Sequence, residues 1–398
     1  MASVDQQRAQ RGDLRVIDTR AELDAAVTKL ADGHGPVAID TERASSFRYS
    51  DRAYLVQMYR RGSGTFLIDP LPFGDLRDVA AAIDSAQWIL HAATQDLPSM
   101  RELGLDPTDM FDTELAARLL GKERVGLGAV VNELLGIELA KAHSADDWST
   151  RPLPDSWLAY AALDVELLVD VRDKLAEELT AAGKADWARA EFADVLARDL
   201  APRTAEERWR RMSGIQQLRS PKQLAIARSL WFARDAFARE LDVAPGRLIP
   251  DRSLTAAARV VPRSRGQLAS LDKFTGKASR SELDRWWEAI KSGMVDQNPP
   301  TRTPSDPSTP PHVRNWERKR PEAHQRLQLA KPAVADRAEQ LHLPTENLLT
   351  PAYLRQVAWQ GTASTPEEVA RELQALGARQ WQIDIAAPVI AAAFVEAH

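Results

Sequence analysis

The sequence predicts an α/β domain followed by two all-α helical domains, in a chain of 398 residues. Up to about residue 120, apolar runs of four to six residues alternate with helical patterns, as expected of a sheet covered by helices. From about residue 112 onward the apolar spacing is helical. The helical part also contains an internal repeat on either side of a proline-rich segment, which indicates two copies of one small domain.

The predicted strands are apolar runs bounded by glycine, proline or charged residues: Val37–Asp40, Tyr54–Tyr59, Thr65–Ile68 and Trp88–His91. Helical patterns are predicted between them at Arg20–Leu30, Leu76–Ser85 and Leu97–Leu103. A longer helix is predicted from Asp155 to about Ala182, where Gly183 ends it. Its core stripe consists of Leu158, Ala161, Val165, Leu168 and Leu175.

The proline-rich segment runs from Asn298 to Pro311 and predicts an extended, semi-rigid linker, because it can form neither helix nor sheet. On either side of it, residues 240–254 align without gaps with residues 340–354. The apolar positions that match at this offset are Leu241/Leu341, Val243/Leu343, Leu248/Leu348, Ile249/Leu349 and Leu254/Leu354. We therefore predict domains at 1–205, 206–292 and 321–398, with a linker at 293–320.

Charge is distributed unevenly along the chain. The net charge is −5, but residues 203–292 hold 19 basic and 10 acidic side chains. A basic module in an acidic protein is typical of a tethered polyanion-binding unit, and it is equally compatible with a solvated helical surface. The absence of cysteine excludes disulfides, thiolate metal sites and a cysteine nucleophile.

Two observations concern cellular location. Residues 1–20 mix charges with single apolar residues, unlike a signal peptide. The longest apolar stretch, near Ile385–Val395, is far shorter than the roughly 20 residues that span a membrane. We expect a soluble, cytoplasmic protein with no membrane partner.

The first acidic motif is Asp40-Thr-Glu42, directly after the apolar run Val37–Ile39. Side chains alternate along a strand, so Asp40 and Glu42 project from the same face. Two carboxylates this close repel each other unless a cation lies between them. The pair therefore indicates either a metal site or a solvated turn.

The second motif is His91-Ala-Ala-Thr-Gln-Asp96, between a predicted strand and a helix that contains Pro98 in its first turn. Asp96 is a candidate functional carboxylate, although capping of the helix amides would also explain it. We take His91 to be a hydrogen-bonded histidine at a strand end and leave it out of the candidate site.

The third motif is Tyr160-Ala-Ala-Leu-Asp164 on the long predicted helix. Residues four apart lie on one helix face, so the phenol and the carboxylate are expected to meet. A partly buried tyrosine beside an unrelated aspartate is the alternative.

Taken together, the three motifs resemble those of the DEDDy 3′–5′ exonucleases, and specifically the ribonuclease D family, over roughly residues 14–200. The basic region at about 206–292 resembles the HRDC domain of that family, and the region after the linker resembles a second, more divergent HRDC domain. The resemblance implies a ribonuclease H-like α/β fold, with a mixed sheet flanked by helices, followed by two all-α HRDC-like domains.

The resemblance also implies site roles. The four acidic positions of the family fall on Asp40, Glu42, Asp96 and Asp164, and its tyrosine falls on Tyr160. By analogy Asp40 would bridge two divalent metals, with Glu42 and Asp164 completing one site and Asp96 at the other. Hard oxygen ligands suit Mg²⁺ or Mn²⁺. Tyr160 would orient the attacking water, because an ordinary phenol is a poor base at neutral pH.

The implied function is a two-metal 3′–5′ exoribonuclease that trims structured RNA, such as tRNA precursors, with a single-stranded 3′ end as substrate. A DNA 3′–5′ exonuclease in repair and a non-catalytic nucleic-acid-binding scaffold are the alternatives. Candidate phosphate contacts in the basic module are Arg208, Arg210, Arg211, Lys222 and Arg228. Phe47, Arg48 and Gln57 are candidates for lining the substrate groove, and Trp209, Trp231, Trp286 and Trp287 are expected mostly in the core.

Overall fold

The computed structural model describes residues 14–139, 143, 145–200, 203–274, 276–302 and 309–397. Among these residues, those up to Leu200 form a mixed sheet with helices packed against it, and those from Arg203 onward are mainly helical. Part of the predicted linker, residues 303–308, lies outside the described residues.

The sheet has the strand order β1-β4-β3-β2-β5-β6. The β3 strand pairs antiparallel with β2 and β4, whereas the β1–β4, β2–β5 and β5–β6 pairs are parallel. Since β2 lies inside the sheet, its middle residues Val37, Ala38 and Ile39 are buried. The strands are β1 (Val16–Ile17), β2 (His34–Arg43), β3 (Ala53–Arg61), β4 (Gly64–Ile68), β5 (Trp88–Leu90) and β6 (Met110–Asp112).

Helices cover both faces of this sheet. Apolar side chains of α6 pack with those of β3 and β4 on one face, while α1, α2 and α8 contribute to the core on the other. The helices are α1 (Arg20–Asp32), α2 (Arg77–Ile83), α3 (Leu97–Glu102), α4 (Thr113–Leu119), α5 (Leu127–Leu135), α6 (Asp155–Glu166), α7 (Leu168–Ala181) and α8 (Ala185–Ala197).

The α/β fold is confirmed, with three local corrections. The short strands β1 and β6 were not predicted, because two or three residues are too few to show an alternating pattern. His91 lies just outside β5. The single helix predicted from Asp155 to Ala182 is two helices that meet at Leu167, while the predicted core stripe is buried along both.

The first helical domain has its own apolar core, separate from that of the sheet. Its two long helices cross closely at Gly293, where an added Cβ would lie 2.6 Å from the Cα of Ile226. Trp209, Trp231 and Trp286 are buried in this core, as expected, and Trp287 packs beside it. The helices are α9 (Ala205–Trp209), α10 (Pro221–Leu241), α11 (Pro245–Leu248), α12 (Asp251–Val260), α13 (Arg265–Ala269), α14 (Lys277–Ser281) and α15 (Leu283–Met294).

The second helical domain repeats the first half of this arrangement at an offset of 100 residues. Its helices are α16 (Trp316–Lys319), α17 (Pro321–Gln340), α18 (Thr345–Leu348), α19 (Pro351–Gln360), α20 (Pro366–Ala375) and α21 (Gln380–Glu396). The turn after the long helix is the same in both copies: Asp242 and His342 have φ values of 48° and 50°. The predicted repeat is therefore also a structural repeat.

The second helical domain shares one continuous apolar core with the sheet domain. Its Trp381 stacks on Trp187 of α8 with ring centroids 4.8 Å apart. Beside this stack, Arg379 donates two hydrogen bonds of 2.6 and 2.7 Å to Glu191. Across the described residues, no helix is long and apolar enough to cross a membrane.

Candidate active site

The first two candidate carboxylates lie on β2, which continues past the predicted strand end to Arg43. Asp40 pairs with Gln57 and Glu42 with Leu55 on the neighbouring β3. Alternation along the strand places both acids on one face, as predicted, and both are half-buried. They therefore lie within a strand and not on a solvated turn.

Asp164 approaches the same face of the sheet from α6. One carboxylate oxygen from each of Asp40, Glu42 and Asp164 lies within 4.8 Å of the other two. Tyr160 is one helical turn earlier on the same helix, and the phenol lowers the pKa of Asp164. Three acids and a phenol from distant parts of the sequence thus form one cluster.

Asp96 joins the site from the start of α3. Its carboxylate caps no helix amide among the described residues, so the capping explanation is wrong. Instead, the Asp96 carboxylate accepts a 2.8 Å hydrogen bond from the Thr41 hydroxyl. Asp96 is not one of the three acids whose oxygens converge, but it is close enough for its charge to raise the pKa of Asp40 and Glu42.

Burial and mutual repulsion control the protonation of these acids. Burial, and then the charge of Asp40, raise the pKa of Glu42 to about 10. Burial raises the pKa of Asp164 to about 7 and that of Asp96 to about 6. The pKa of Asp40 is also well above its usual range, through burial and then the charge of Asp96. The Arg43 charge lowers the pKa of Asp40, Glu42 and Asp96 but does not offset burial and repulsion, and a divalent cation would supply further positive charge.

The donor set fits a hard divalent cation, because the three converging ligand atoms are all carboxylate oxygens. His91 has no part in this set: its ring bonds the Thr113 hydroxyl at 2.8 Å, and burial lowers its pKa to about 4. The expectation of a hydrogen-bonded histidine is therefore confirmed.

Several polar neighbours of the acids were not predicted from the sequence. The Gln57 amide donates to Asp40 at 3.4 Å, so Gln57, a predicted groove residue, instead supports a candidate ligand. Arg43 lies 3.6 Å from Asp96 and donates a 2.6 Å hydrogen bond to the Gln95 carbonyl. The register of β2 against β3 could have indicated Gln57, but the Arg43–Asp96 contact depends on a turn that the sequence does not reveal.

A groove of about 1410 Å³ opens beside the cluster and includes Tyr160 and Asp164 in its wall. The rest of the wall comes from residues between Leu120 and Leu139, among them Lys122 and Arg124. A polymer chain could therefore reach the carboxylates from this side.

The five basic candidates fall into two groups. Three are engaged within the protein: Arg208 with Asp235 at 3.4 Å, Arg210 with Glu206 at 2.9 Å and Arg228 with Asp296 at 2.5 Å. Arg211 and Lys222 are exposed, and neither forms an ion pair within the described parts of the chain. The structure thus leaves these two more available to a polyanion.

Comparison with known proteins identifies the domains. Residues 14–180 match a family model described as 3′–5′ exonuclease, and residues 223–290 match the HRDC domain. Residues 309–394 match a model described as 3′ to 5′ exonuclease C-terminal domain. The ribonuclease D of Serratia proteamaculans (strain 568) is 32% identical over 267 residues, which are 65% of this chain and 69% of that protein. The chain belongs to the ribonuclease D family.

Solved structures agree with this assignment. A protein from Bifidobacterium adolescentis shares 38% identity with a TM-score of 0.84, over 96% of this chain and 97% of that one. Escherichia coli RNase D has the same fold, with 23% identity and a TM-score of 0.71 over 97% of this chain and 99% of its own. The protein is therefore a 3′–5′ exonuclease with a nucleic-acid-binding HRDC domain, and its acidic cluster is that of a divalent-metal-dependent nuclease family.

Proposed function

We propose that this protein is a 3′–5′ exoribonuclease that removes nucleotides from the single-stranded 3′ ends of structured RNAs, such as tRNA precursors. The observation that carries the proposal is the convergence of Asp40, Glu42 and Asp164 on a 3′–5′ exonuclease fold. The ribonuclease D relatives favour RNA as the substrate. Escherichia coli RNase D, which has this fold, is described as an exoribonuclease involved in structured RNA processing.

Asp40, Glu42, Asp96 and Asp164 would hold two divalent cations, Mg²⁺ or Mn²⁺. When bound, such a pair activates a water molecule and stabilises the departing oxygen in an in-line displacement at phosphorus. The water oxygen forms a bond to the terminal phosphorus while the bond to the 3′ oxygen of the preceding nucleotide breaks. The products are a nucleoside 5′-monophosphate and an RNA shortened by one residue with a free 3′ hydroxyl.

Side chains of this protein would orient the attacking water and hold the metal ligands in position. Tyr160 would orient the attacking water, because burial and the Asp164 charge raise the pKa of its phenol above the usual range. A phenol that keeps its proton can donate a hydrogen bond and does not serve as a base. Thr41 and Gln57 would hold Asp96 and Asp40 in place through the hydrogen bonds they donate.

The test uses an RNA hairpin with a single-stranded 3′ tail, labelled at its 5′ end, with Mg²⁺ or Mn²⁺. We expect a ladder that shortens from the 3′ end, and we expect it to disappear with a chelator or in Asp40→Asn. The matched control is Asp32→Asn, which removes the same charge from an exposed position at the end of α1.

Two results would contradict the proposal. An RNA that is bound but stays intact with either metal would indicate a non-catalytic scaffold. Faster degradation of the DNA copy of the same tail would indicate a DNA exonuclease, because the 2′-hydroxyl is the feature that distinguishes the two substrates.

A further inference from the structure

The first helical domain contacts the sheet domain at the loop that follows Glu42. This loop, residues 44–52, connects β2 to β3. Residues 44–47 of the loop also line a pocket of about 210 Å³ together with Thr41, Glu42 and Arg43. Any displacement of the loop would therefore change the wall of a pocket that includes a candidate metal ligand.

The contact is made by residues 242–247, which comprise the turn after α10 and the first three residues of α11. The Ala244 amide donates a 3.0 Å hydrogen bond to the Phe47 carbonyl, and the Tyr49 amide donates one of 3.3 Å to Asp242. The Arg247 guanidinium lies 4.1 Å from the centre of the Phe47 ring. Both ends of the short segment 47–49 are thus held by the helical domain.

A second set of bonds fixes Tyr49 to α10 itself. The Tyr49 hydroxyl donates a 2.9 Å hydrogen bond to the buried carboxylate of Asp235. Arg239 donates one of 2.9 Å to the same hydroxyl. Charge-assisted bonds of this kind are stronger than neutral ones, so the loop is tied to the rigid part of the helical domain.

The residues that make this contact are absent from the second copy of the repeat. At the offset of 100 residues, Asp235, Arg239, Asp242 and Arg247 correspond to Ala335, Glu339, His342 and Asn347. Since both copies keep the same turn, these side chains are not needed to form the domain. In the first copy all four side chains contact the loop, and Asp235 also pairs with Arg208 and Arg239 within the helical domain.

We propose that Tyr49 and Arg247 are positioning residues for the nuclease site: through them, the first helical domain holds the loop 44–52 in the conformation that lets the substrate reach the carboxylates. This inference rests on the proposed function. It makes the basic domain a structural part of the active site and not only a tether for RNA.

Cleavage of a diribonucleotide distinguishes positioning of the loop from binding of RNA by the basic domain. Its one phosphodiester bond must lie at the carboxylates, so it leaves no internucleotide phosphate for the basic domain. We expect Tyr49→Phe and Arg247→Ala each to lower kcat on the diribonucleotide roughly 10- to 100-fold, since small displacements of reacting groups have effects of this size. The same factor is expected on the long RNA, and Arg247→Lys, which keeps a cation at Phe47, should recover part of the rate.

The control is Arg252→Ala, which removes an equal charge from an exposed position of the same domain. It should leave kcat on the diribonucleotide unchanged. Thermal unfolding midpoints identify any variant that fails to fold, and Tyr49→Phe keeps the ring in place so that at least one variant is informative.

The inference is overturned if the variants change only the KM for long RNA and leave diribonucleotide turnover intact. A wild-type protein that cleaves neither substrate would instead refute the proposed function.

Discussion

Glu191 and the carboxylates of the nuclease site occupy opposite electrostatic settings. At the junction of the sheet domain and the second helical domain, the Glu191 side chain is held by two bonds from Arg379 and one of 3.0 Å from the Trp381 ring nitrogen. In the nuclease site, one oxygen from each of Asp40, Glu42 and Asp164 lies within 4.8 Å of the other two. The Glu191 charge is neutralised by Arg379, whereas no cationic side chain of the described residues lies within 4.0 Å of Asp40, Glu42 or Asp164.

The difference indicates which acids serve the fold and which serve a ligand. Burying an unpaired charge is costly, so an acid with a purely structural role is expected to have a partner, as Glu191 has. The nuclease acids raise one another's pKa instead. Their repulsion is relieved when they take up protons or when a cation from solvent binds among them.

The largest expected effect is on the paired acid. Arg379→Ala leaves Glu191 buried without its cation, and we expect the free energy of unfolding to fall by about 3–5 kcal/mol. The double variant Glu191→Gln/Arg379→Met, which removes both charges, should lose less. Denaturant titration of both variants measures this difference. An equal loss in the two would contradict a role for charge pairing at this interface.

Replacing an unpaired acid should have the opposite effect on stability. Asp40→Asn is expected to raise the thermal midpoint of the metal-free protein, because it removes a repelling charge. The same change should lower the cleavage rate by roughly 10²–10³-fold, as loss of one preorganised electrostatic group does. Thermal unfolding with a chelator and single-turnover cleavage measure the two effects. A lower midpoint would show that Asp40 contributes to the fold in its ionised form.

The nuclease acids should also make the stability of the metal-free protein depend on pH. The pKa values of about 7 for Asp164 and about 6 for Asp96 exceed those of unfolded aspartates, so the folded protein holds these protons more tightly. Stability of the metal-free protein should therefore be lost as pH rises from about 4 to 7, by up to about 1.4 kcal/mol per pH unit for each group.

Adding Mg²⁺ should abolish this loss, because metal binding requires the ionised acids. Asp164→Asn should make the metal-free profile shallower, because the contributions of Asp96 and Glu42 remain, and thermal unfolding across pH 4–8 measures both changes. A metal-free protein whose stability rises through this range, in wild type and variant alike, would contradict the assigned protonation.

A smaller effect is expected at Tyr160. Tyr160→Phe removes one hydrogen bond to the attacking water, worth about 0.5–1.5 kcal/mol, so cleavage should slow by roughly 10-fold at most. Metal affinity should fall less than it does in Asp40→Asn, because no metal ligand is removed, and Tyr353→Phe in the second helical domain is the matched control. A loss comparable with that of Asp40→Asn would mean that the phenol does more than orient water.

The smallest effects are expected at the basic residues. Here the comparison is between basic side chains without an acidic partner among the described residues and one that is paired with an acid. Arg211 and Lys222 are exposed, so alanine at either should reduce the salt dependence of RNA binding by roughly 0.7–0.9 of a logarithmic unit per decade. Arg228, which pairs with Asp296, should affect stability and leave this slope unchanged. Filter binding at several salt concentrations measures the slope for each variant. Equal slopes for all three variants would contradict the prediction that paired and unpaired basic residues differ in RNA binding.

The sequence was sufficient for the features that depend on spacing. The alternation of Asp40 and Glu42, the four-residue interval from Tyr160 to Asp164 and the repeat at an offset of 100 residues follow from local geometry and appear in the structure. The break at Leu167 was not predictable, because the apolar stripe continues across it.

Contacts between distant segments could not be predicted from the sequence. The Thr41–Asp96 bond and the attachment of Tyr49 to Asp235 join residues 55 and 186 positions apart. The pairing of Arg208, Arg210 and Arg228 with acids was equally hidden, since a basic composition does not reveal which charges are already neutralised.

The most direct test of the central claim is a titration of the metal-free protein with Mn²⁺, followed by electron paramagnetic resonance in the presence of a nucleoside 5′-monophosphate. If the unpaired acids are a cation site, wild type binds two ions per chain and Asp40→Asn loses at least one, while Asp32→Asn keeps both. Equal binding by wild type and Asp40→Asn would contradict the account, because the acids would then be buried together for some purpose other than holding metal.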